Sequence, residues 1–325
     1  MFHVFAYLPD GTAKTLEEVP ALKELLAAEP EARVWVDVDD PAEQEMRDLQ
    51  VLFDLADDPV DDCLRGEQRP RIDEYEDYLF LVFYGLVGEE EPEELSPRKL
   101  TAFCGRRFLI TVHQEPIRSI ARLRERFLRH APQLIAPGVD ALLYAIVDAM
   151  VDNYLLVAER FEDRVDALEE RSLGDDMDET LLTDAADLRR DLLKLRHLAE
   201  AGRDLVLPLV EDGYEFVSET LRQRFQHVQD HLLQTIDAIN LQRELLTAVR
   251  ENYDAALAQR TNAAMKAVAI YAGLMLPLTV IAGIYGMNFP VWPPGDDPLS
   301  FWAVLAAMGL IAAGLVLHFR RRKWL

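Results

Sequence analysis

Apolar and polar positions follow two different periods along this chain, and the change of period divides it. Residues 1–7, 33–38, 79–87, 99–104 and 107–113 are short runs rich in Val, Ile, Leu, Phe, Tyr and Trp. That pattern predicts strands. Helical spacing lies between them, near 15–28, 42–53 and 59–66. Gly105-Arg106 joins the last two strands as a hairpin. Residues 1–135 therefore read as a mixed α/β domain. The first residues have no basic stretch or cleavage pattern and read as a strand, not a signal peptide.

Beyond residue 135 the period becomes helical and stays so. From Asp140 to Arg171 the stripe Tyr154, Ala158, Phe161, Val165, Leu168 advances by alternating fours and threes, with charges outside it. A second helix is predicted from about Asp178 to Leu207, where Pro208 ends or kinks it. A third starts after Gly213 and meets no Gly or Pro until Gly273. Continued to Tyr285 it would be about 105 Å long at 1.5 Å per residue. A globular core has no use for such a helix, and residues 136–263 read as a helical stalk.

Charge then vanishes: Ala267 to Gly295 holds no Asp, Glu, Lys, Arg or His. Residues 267–285 and Phe301–Leu317 are two apolar runs of membrane-crossing length, separated by a Pro/Gly-rich loop. Residues 264–325 thus read as a transmembrane hairpin, with spans at about 266–285 and 301–318 around a loop at 286–300. Pro277 within the first span is tolerated where neighbouring helices satisfy the freed backbone groups. Arg260 and Lys266 precede the first span, Arg320, Arg321, Arg322 and Lys323 follow the second, and the loop has no basic residue. This bias places both termini in the cytoplasm and the loop outside, in a cell inner (plasma) membrane. Trp292, Trp302 and Trp324 fall near the expected interfaces.

Composition sharpens the picture. The formal charge is -24 and the pI about 4.6, which excludes a general nucleic-acid binder and favours cationic partners. Cys63 and Cys104 make neither a disulfide framework nor a zinc site by spacing. The mean hydropathy of -0.05 averages an acidic part and an apolar hairpin. Two spans cannot enclose a polar path alone, so transport would need a ring of copies. One face of the first span carries Asn262, Met265, Ala272, Leu276, Thr279 and Gly283, small or weakly polar side chains that permit close approach around an axis. Lipid exposure or packing within a bundle would produce a stripe as well. The histidines are scattered, and no P-loop, nucleophile elbow or metal-hydrolase spacing is present, so neither an enzyme nor an ATP-driven pump is expected.

At the outer end of the first span stands Tyr285-Gly286-Met287-Asn288-Phe289, preceded by PLTVIAGIY (277–285) and followed, after the second span, by a basic terminus ending Lys323-Trp324-Leu325. Residues 68–80, 108–113, 151–154 and 261–266 extend the likeness upstream. In these segments the chain resembles the CorA family of magnesium and cobalt transporters.

The resemblance implies an α+β, mostly α protein: an N-terminal cytoplasmic α/β domain and a stalk continuing into the hairpin, five copies forming a funnel. It implies Mg²⁺ as the carried ion, with Co²⁺, Ni²⁺ or Zn²⁺ as further candidates, and itself, the bilayer and divalent ions as partners. Gly286, Met287 and Asn288 would form the outer mouth, where neutral oxygens can hydrogen-bond the water shell that Mg²⁺ holds tightly. Asn beside Gly is also a common helix C-cap, which is compatible. Thr279 and Asn262 would be the polar pore positions, Met265, Val268 and Leu276 the constrictions, and Ala272 the wider space between them.

Internal Mg²⁺, bound between cytoplasmic domains, would favour the closed state. Asp62 matches one sensing carboxylate. His227 stands where its stalk partner is expected, with Asp230 and Glu251 as alternatives. Imidazole suits zinc, nickel or cobalt better than magnesium. His227 and His231, one turn apart, are either solvated stalk residues or a transition-metal pair. Asp296 and Asp297 depart from the family's outer loop and read either as cation attractors at the mouth or as a polar turn. A zinc-transporting branch of the same superfamily is the nearest alternative, and a membrane-tethered coiled-coil scaffold the alternative from another class.

Overall fold

The computed structural model describes residues 2–66, 68–86, 95–174, 180–211, 213–287, 298–322 and 324. The chain divides into two compact units, Met1–Val249 and Arg250–Leu325.

The first unit begins with a seven-stranded sheet built from β1 (Phe2–Tyr7), β2 (Ala13–Leu16), β3 (Arg33–Asp39), β4 (Arg71–Glu74), β5 (Tyr78–Leu86), β6 (Pro97–Gly105) and β7 (Phe108–His113). Their spatial order is β2-β1-β3-β7-β6-β5-β4. Only the central β3–β7 pair is parallel, with Val34 opposite Phe108 and Asp39 opposite His113. β6 and β7 form the expected hairpin. Gly105 is required there because a Cβ would run into the Phe108 ring.

Period-2 alternation sends side chains to opposite faces of the sheet. On one face Val4, Val36, Val38, Phe80, Phe103 and Ile110 pack with Leu22 of α1 (Val19–Ala28), Met46 and Leu49 of α2 (Glu43–Phe53), and Val60 and Cys63 of α3 (Asp57–Leu64). On the other, Phe5 and Trp35 stack at 5.0 Å and meet Phe127 of α4 (Arg118–Leu134). The helix α5 (Val139–Leu173) also lies on that second face. Its Tyr154 ring is parallel to Phe83, and its hydroxyl donates to the Tyr84 carbonyl.

Four details differ from the sequence reading. The stretch 15–28 is not all helix: Ala13–Leu16 pairs with β1, and α1 starts only at Val19, with Pro20 pre-setting its first turn. β4 is an additional edge strand whose charged residues hide its alternation. α4 is a further helix with the buried stripe Ile120, Leu123, Phe127, Ala131, Leu134. Pro208 does not end α6 (Thr180–Glu211), because buried Leu205, Val206 and Leu209 hold the turns around it.

The helix α7 (Glu219–Tyr285) is one unbroken element of 67 residues. It runs parallel to α5: Ser218, just before α7, donates its N–H to Asp140, Phe225 meets Tyr144 edge-on, and Gln242 donates to the Ala158 carbonyl. Both partners advance together along their sequences. This stacking sets His231 of α7 beside Asp152 of α5.

Among the described residues, three helices are long and apolar enough to cross a membrane: α5, α7 and α8 (Pro298–Arg321). Burial separates them. Of the most apolar stretch, 56% is buried in α5 and none in α7 or α8. α5 is therefore a core helix, its apolar residues already covered by protein. In the apolar stretches of α7 and α8 none is fully buried, as a lipid-facing or self-assembling surface requires.

Candidate functional site

Within the second unit, the apolar half of α7 has two unlike sides. Ile270, Gly273, Leu274, Pro277, Leu278, Ile281 and Tyr285 are half-covered. Gly273 marks that side as the one facing α8, since a Cβ there would come to 3.0 Å from the Phe319 ring. Asn262, Met265, Val268, Ala272, Leu276, Thr279 and Gly283 are all exposed. At about 100° per residue they centre roughly 165° around the helix from the covered side. The suggested lining residues thus share the face turned away from α8. The Thr279 hydroxyl donates to the Met275 carbonyl at 2.8 Å, leaving its oxygen lone pairs as the polar feature of that face. Gly286 and Met287 follow the last turn and are exposed. Asn288, Asp296 and Asp297 lie outside the described residues.

Among the described residues, the suggested sensing residues form no ligating group of three or more. Asp62 is in α3, and its carboxylate is engaged by Arg71, which also binds Asp73 at 2.6 Å. His227, Asp230 and Glu251 are exposed on α7. Among the described residues, the one group of three or more ligating side chains close enough to hold an ion is Asp148, Asp152 and His231, whose donor atoms lie within 4.8 Å of one another.

The local sequence explains this cluster. Asp148 and Asp152 are four apart and share a face of α5, while His231 comes from the neighbouring turn of α7. His231 Nδ1 is 3.4 Å from Asp152 Oδ1 and, though buried as an atom, makes no hydrogen bond. Burial holds the Asp148 carboxyl above its ordinary range, the Asp152 charge adds to this, and the Tyr144 hydroxyl and both stalk histidines oppose it. Burial and the same carboxylate push Tyr144 up to about 12. Beside the cluster a cleft of about 680 Å³ is lined by Asp148, Asp152, Tyr144, Arg126 and Arg224, among others. Sequence reasoning weighed His231 only with His227. The spacing Asp148/Asp152 was available as a second signal, but its pairing with α7 needed the fold.

Comparison with known proteins bears on both regions. The family model for the CorA-like Mg²⁺ transporter protein matches residues 30–321. The chain belongs to the CorA family. It is a membrane protein and a divalent-cation transporter of that superfamily, whose members are ion transporters rather than enzymes. The cobalt/magnesium transport protein CorA of Thermotoga maritima is 31% identical, over 82% of this chain and 76% of that protein. The CorA protein of Methanocaldococcus jannaschii is 26% identical over the full length of both. The complete structure of the M. jannaschii CorA magnesium transporter superposes with a TM-score of 0.83 at 24% identity, covering 99% of this chain and 98% of that one. At that identity the superposition speaks for the fold: an N-terminal α/β domain, a long helix and a C-terminal helix.

Proposed function

We propose that this CorA-family chain forms a homopentameric channel that admits Mg²⁺, and with it Co²⁺, down the electrochemical gradient into the cytoplasm. α7 would line the path, α8 would face lipid around it, and both termini would be cytoplasmic. The domain division suggested by the sequence (1–135, 136–263, 264–325) belongs to the same proposal. The observation that carries it is the bare, uncharged face of α7 from Asn262 to Gly283, opposite the side that α8 covers. Among the described residues of a single chain, none buries that face. Five copies around an axis would cover it and leave Thr279 and Asn262 as rings of weak oxygen ligands.

Weak ligands suit this cargo. Mg²⁺ dehydrates reluctantly, so a path of hydroxyl, amide and carbonyl oxygens can pass it with much of its water retained. Met265, Val268 and Leu276 would close the path by dewetting. Gly286-Met287-Asn288 would receive the hydrated ion, and Asp296 and Asp297 would raise its local concentration. Cytoplasmic divalent ions would favour the closed form.

Flux into liposomes with Mg²⁺, Co²⁺, Ni²⁺ and Zn²⁺ offered separately tests the reading, using the purified chain and Asn288→Ala. Mg²⁺ uptake is expected, with loss of most of it in the variant. Zinc uptake without magnesium uptake would instead assign the chain to a zinc-transporting branch. Unchanged magnesium uptake in Asn288→Ala would remove Asn288 from the path.

A further inference from the structure

The end of α8 gathers positive charge in an otherwise acidic chain. Arg320, Arg321 and Arg322 are exposed there, and Lys323 follows in sequence. Arg260 and Lys266 are exposed on α7 at the same end of the helix pair, whose register is set by Phe319 lying against Gly273. From Ala255 to Gly295 the sequence has no acidic residue, and none follows Asp297. Asp254 stands about 28 Å up α7 from Gly273 at 1.5 Å per residue. Asp296 and Asp297 belong to the loop that joins the other ends of α7 and α8. Among the described residues, no carboxylate pairs with the three arginines.

Position on the helix gives this charge a direction. Val304, Met308, Ala312, Leu315 and Phe319 are half-covered, and Phe319 marks their side as the one toward α7. Trp302, Ala306, Leu310, Ala313 and Leu317 are exposed and centre roughly 160° away from that stripe. Arg320 and Arg321 end the bare stripe, within about 60° of its centre, whereas Arg322 lies on the α7 side. The apolar run Phe301–Leu317 is about 25 Å long, slightly shorter than a hydrocarbon core of about 30 Å. Arginines one turn beyond it stand at the edge of that core. Their stems can stay on apolar surface while the guanidinium groups reach the headgroups.

The residues that follow fold back instead of leaving the helix end open. Arg322 donates its backbone N–H to the His318 carbonyl at 3.1 Å, and Trp324 donates its own to the Phe319 carbonyl at 2.9 Å. The Trp324 ring stacks on Phe319 with centroids 6.0 Å apart and planes 11° from parallel. An indole, which favours the boundary between apolar and wet surroundings, is thereby fixed beside the arginines.

We propose that Arg320, Arg321 and Trp324 form a headgroup site for an anionic phospholipid. Each guanidinium offers paired N–H donors to phosphate oxygens. A zwitterionic lipid carries the same phosphate, but its ammonium group would be held among like charges. The exposure of this stripe to lipid, and the leaflet it meets, rest on the proposed arrangement of α8 around α7. The preference for an anionic headgroup is measurable without choosing a leaflet.

The test uses the full chain with Trp292→Phe and Trp302→Phe, which leaves Trp324 to report on the site and Trp35, buried in the sheet, as a constant background. It is reconstituted into phosphatidylcholine vesicles containing brominated phosphatidylglycerol or, in parallel, brominated phosphatidylcholine at equal bromine content. Quenching of Trp324 should show phosphatidylglycerol binding about fivefold or more above phosphatidylcholine. Arg320→Gln with Arg321→Gln should remove most of this preference, since each basic side chain near an anionic surface contributes about fivefold. Arg320→Lys with Arg321→Lys should keep part of it, because the charge remains without the paired donors. Far-ultraviolet circular dichroism checks that each variant folds. Excess inorganic phosphate should leave the preference in place, and its loss would overturn the lipid assignment in favour of a soluble anion. Equal quenching by the two lipids, or a preference unchanged in the glutamine variant, would also overturn it and leave the arginines to the acidic surface of another copy. Flux is measured separately: Mg²⁺ uptake without lipid preference refutes this site and keeps the channel, and preference without uptake does the reverse.

Discussion

Asp37 is fully buried at the C-terminal half of β3, where the parallel β3–β7 pair brings together groups from four elements. Trp35 donates to the Thr111 hydroxyl at 3.0 Å, and Thr111 donates to Asp37 at 2.7 Å. Arg124 of α4 reaches Asp37 at 3.1 Å, and His113 lies 3.3 Å from Asp37 and 3.5 Å from Asp39. Removing one partner of a buried pair leaves the other charged and unsolvated. Arg124→Met should therefore cost about 3–5 kcal/mol. Thermal unfolding should show it as a Tm drop of about 2–4 °C for each kcal/mol. A loss below about 1 kcal/mol would mean that water or His113 compensates Asp37. His3 sits opposite Asp37 in the sheet register. Burial lowers its pKa and the Arg124 charge lowers it further, against the opposing pull of Asp37 and Asp39. The folded state thus prefers neutral His3, which contributes stability above the ordinary value of 6.5 and loses it as pH falls through the lowered value. His3→Gln should flatten the stability curve just below that value, and an unaltered acid limb would assign the titration elsewhere.

At the scale of elements, α5 and α7 show why apolarity alone misleads. Both have stretches fit to cross a bilayer, yet α5 spends its apolar side chains on the sheet and on its helical neighbours. The heptad-like stripe Tyr154, Ala158, Phe161, Val165, Leu168 was legible in the sequence and is buried throughout. The same spacing logic could not rank the faces of α7, because every residue there is apolar or small. Only the position of α8 separates a covered face from a bare one. Cysteine substitution reads this directly, since Cys63 and Cys104 are buried and burial pushes the Cys63 thiol up to about 12, keeping both unreactive. In the liposome-reconstituted chain, Thr279→Cys should react with a small water-soluble thiol reagent and block flux. Leu278→Cys, on the half-covered side, should react at least about tenfold more slowly, as burial raises a thiol's pKa. Equal rates at the two positions would sink the lining assignment.

For the whole molecule the governing quantity is charge. Residues 264–325 hold five basic and two acidic side chains, net +3, so the first 263 residues carry -27. Five copies would gather about -135 on their cytoplasmic parts, a field that concentrates divalent cations and opposes assembly without them. Stripping Mg²⁺ at low ionic strength should raise protease sensitivity and lower the fraction cross-linked as pentamer. Monovalent salt at matched ionic strength should restore less than Mg²⁺ does, because screening over a Debye length of about 10 Å at 0.1 M does not bridge carboxylates. Equal digestion with and without Mg²⁺ would show that the charge is plain solvated surface.

The sequence by itself determined the elements whose cause is local. Strand alternation over 33–38 and 107–113, the stalk stripe of α5, the two uncharged apolar runs and the Gly286-Met287-Asn288 context all arise from residues adjacent in the chain. β4 and α4 escaped for the opposite reasons that charge masks an edge strand and that Arg-rich flanks obscure an apolar stripe. The tertiary structure decided what depends on residues far apart in sequence. It buried much of the apolar stretch of α5 and none of those of α7 and α8, engaged Asp62 with Arg71, and set His231 against Asp148 and Asp152 across some eighty residues. Periodicity reports which face of a helix is apolar. It carries no information on which helix will come to lie against that face, because that choice is made by packing.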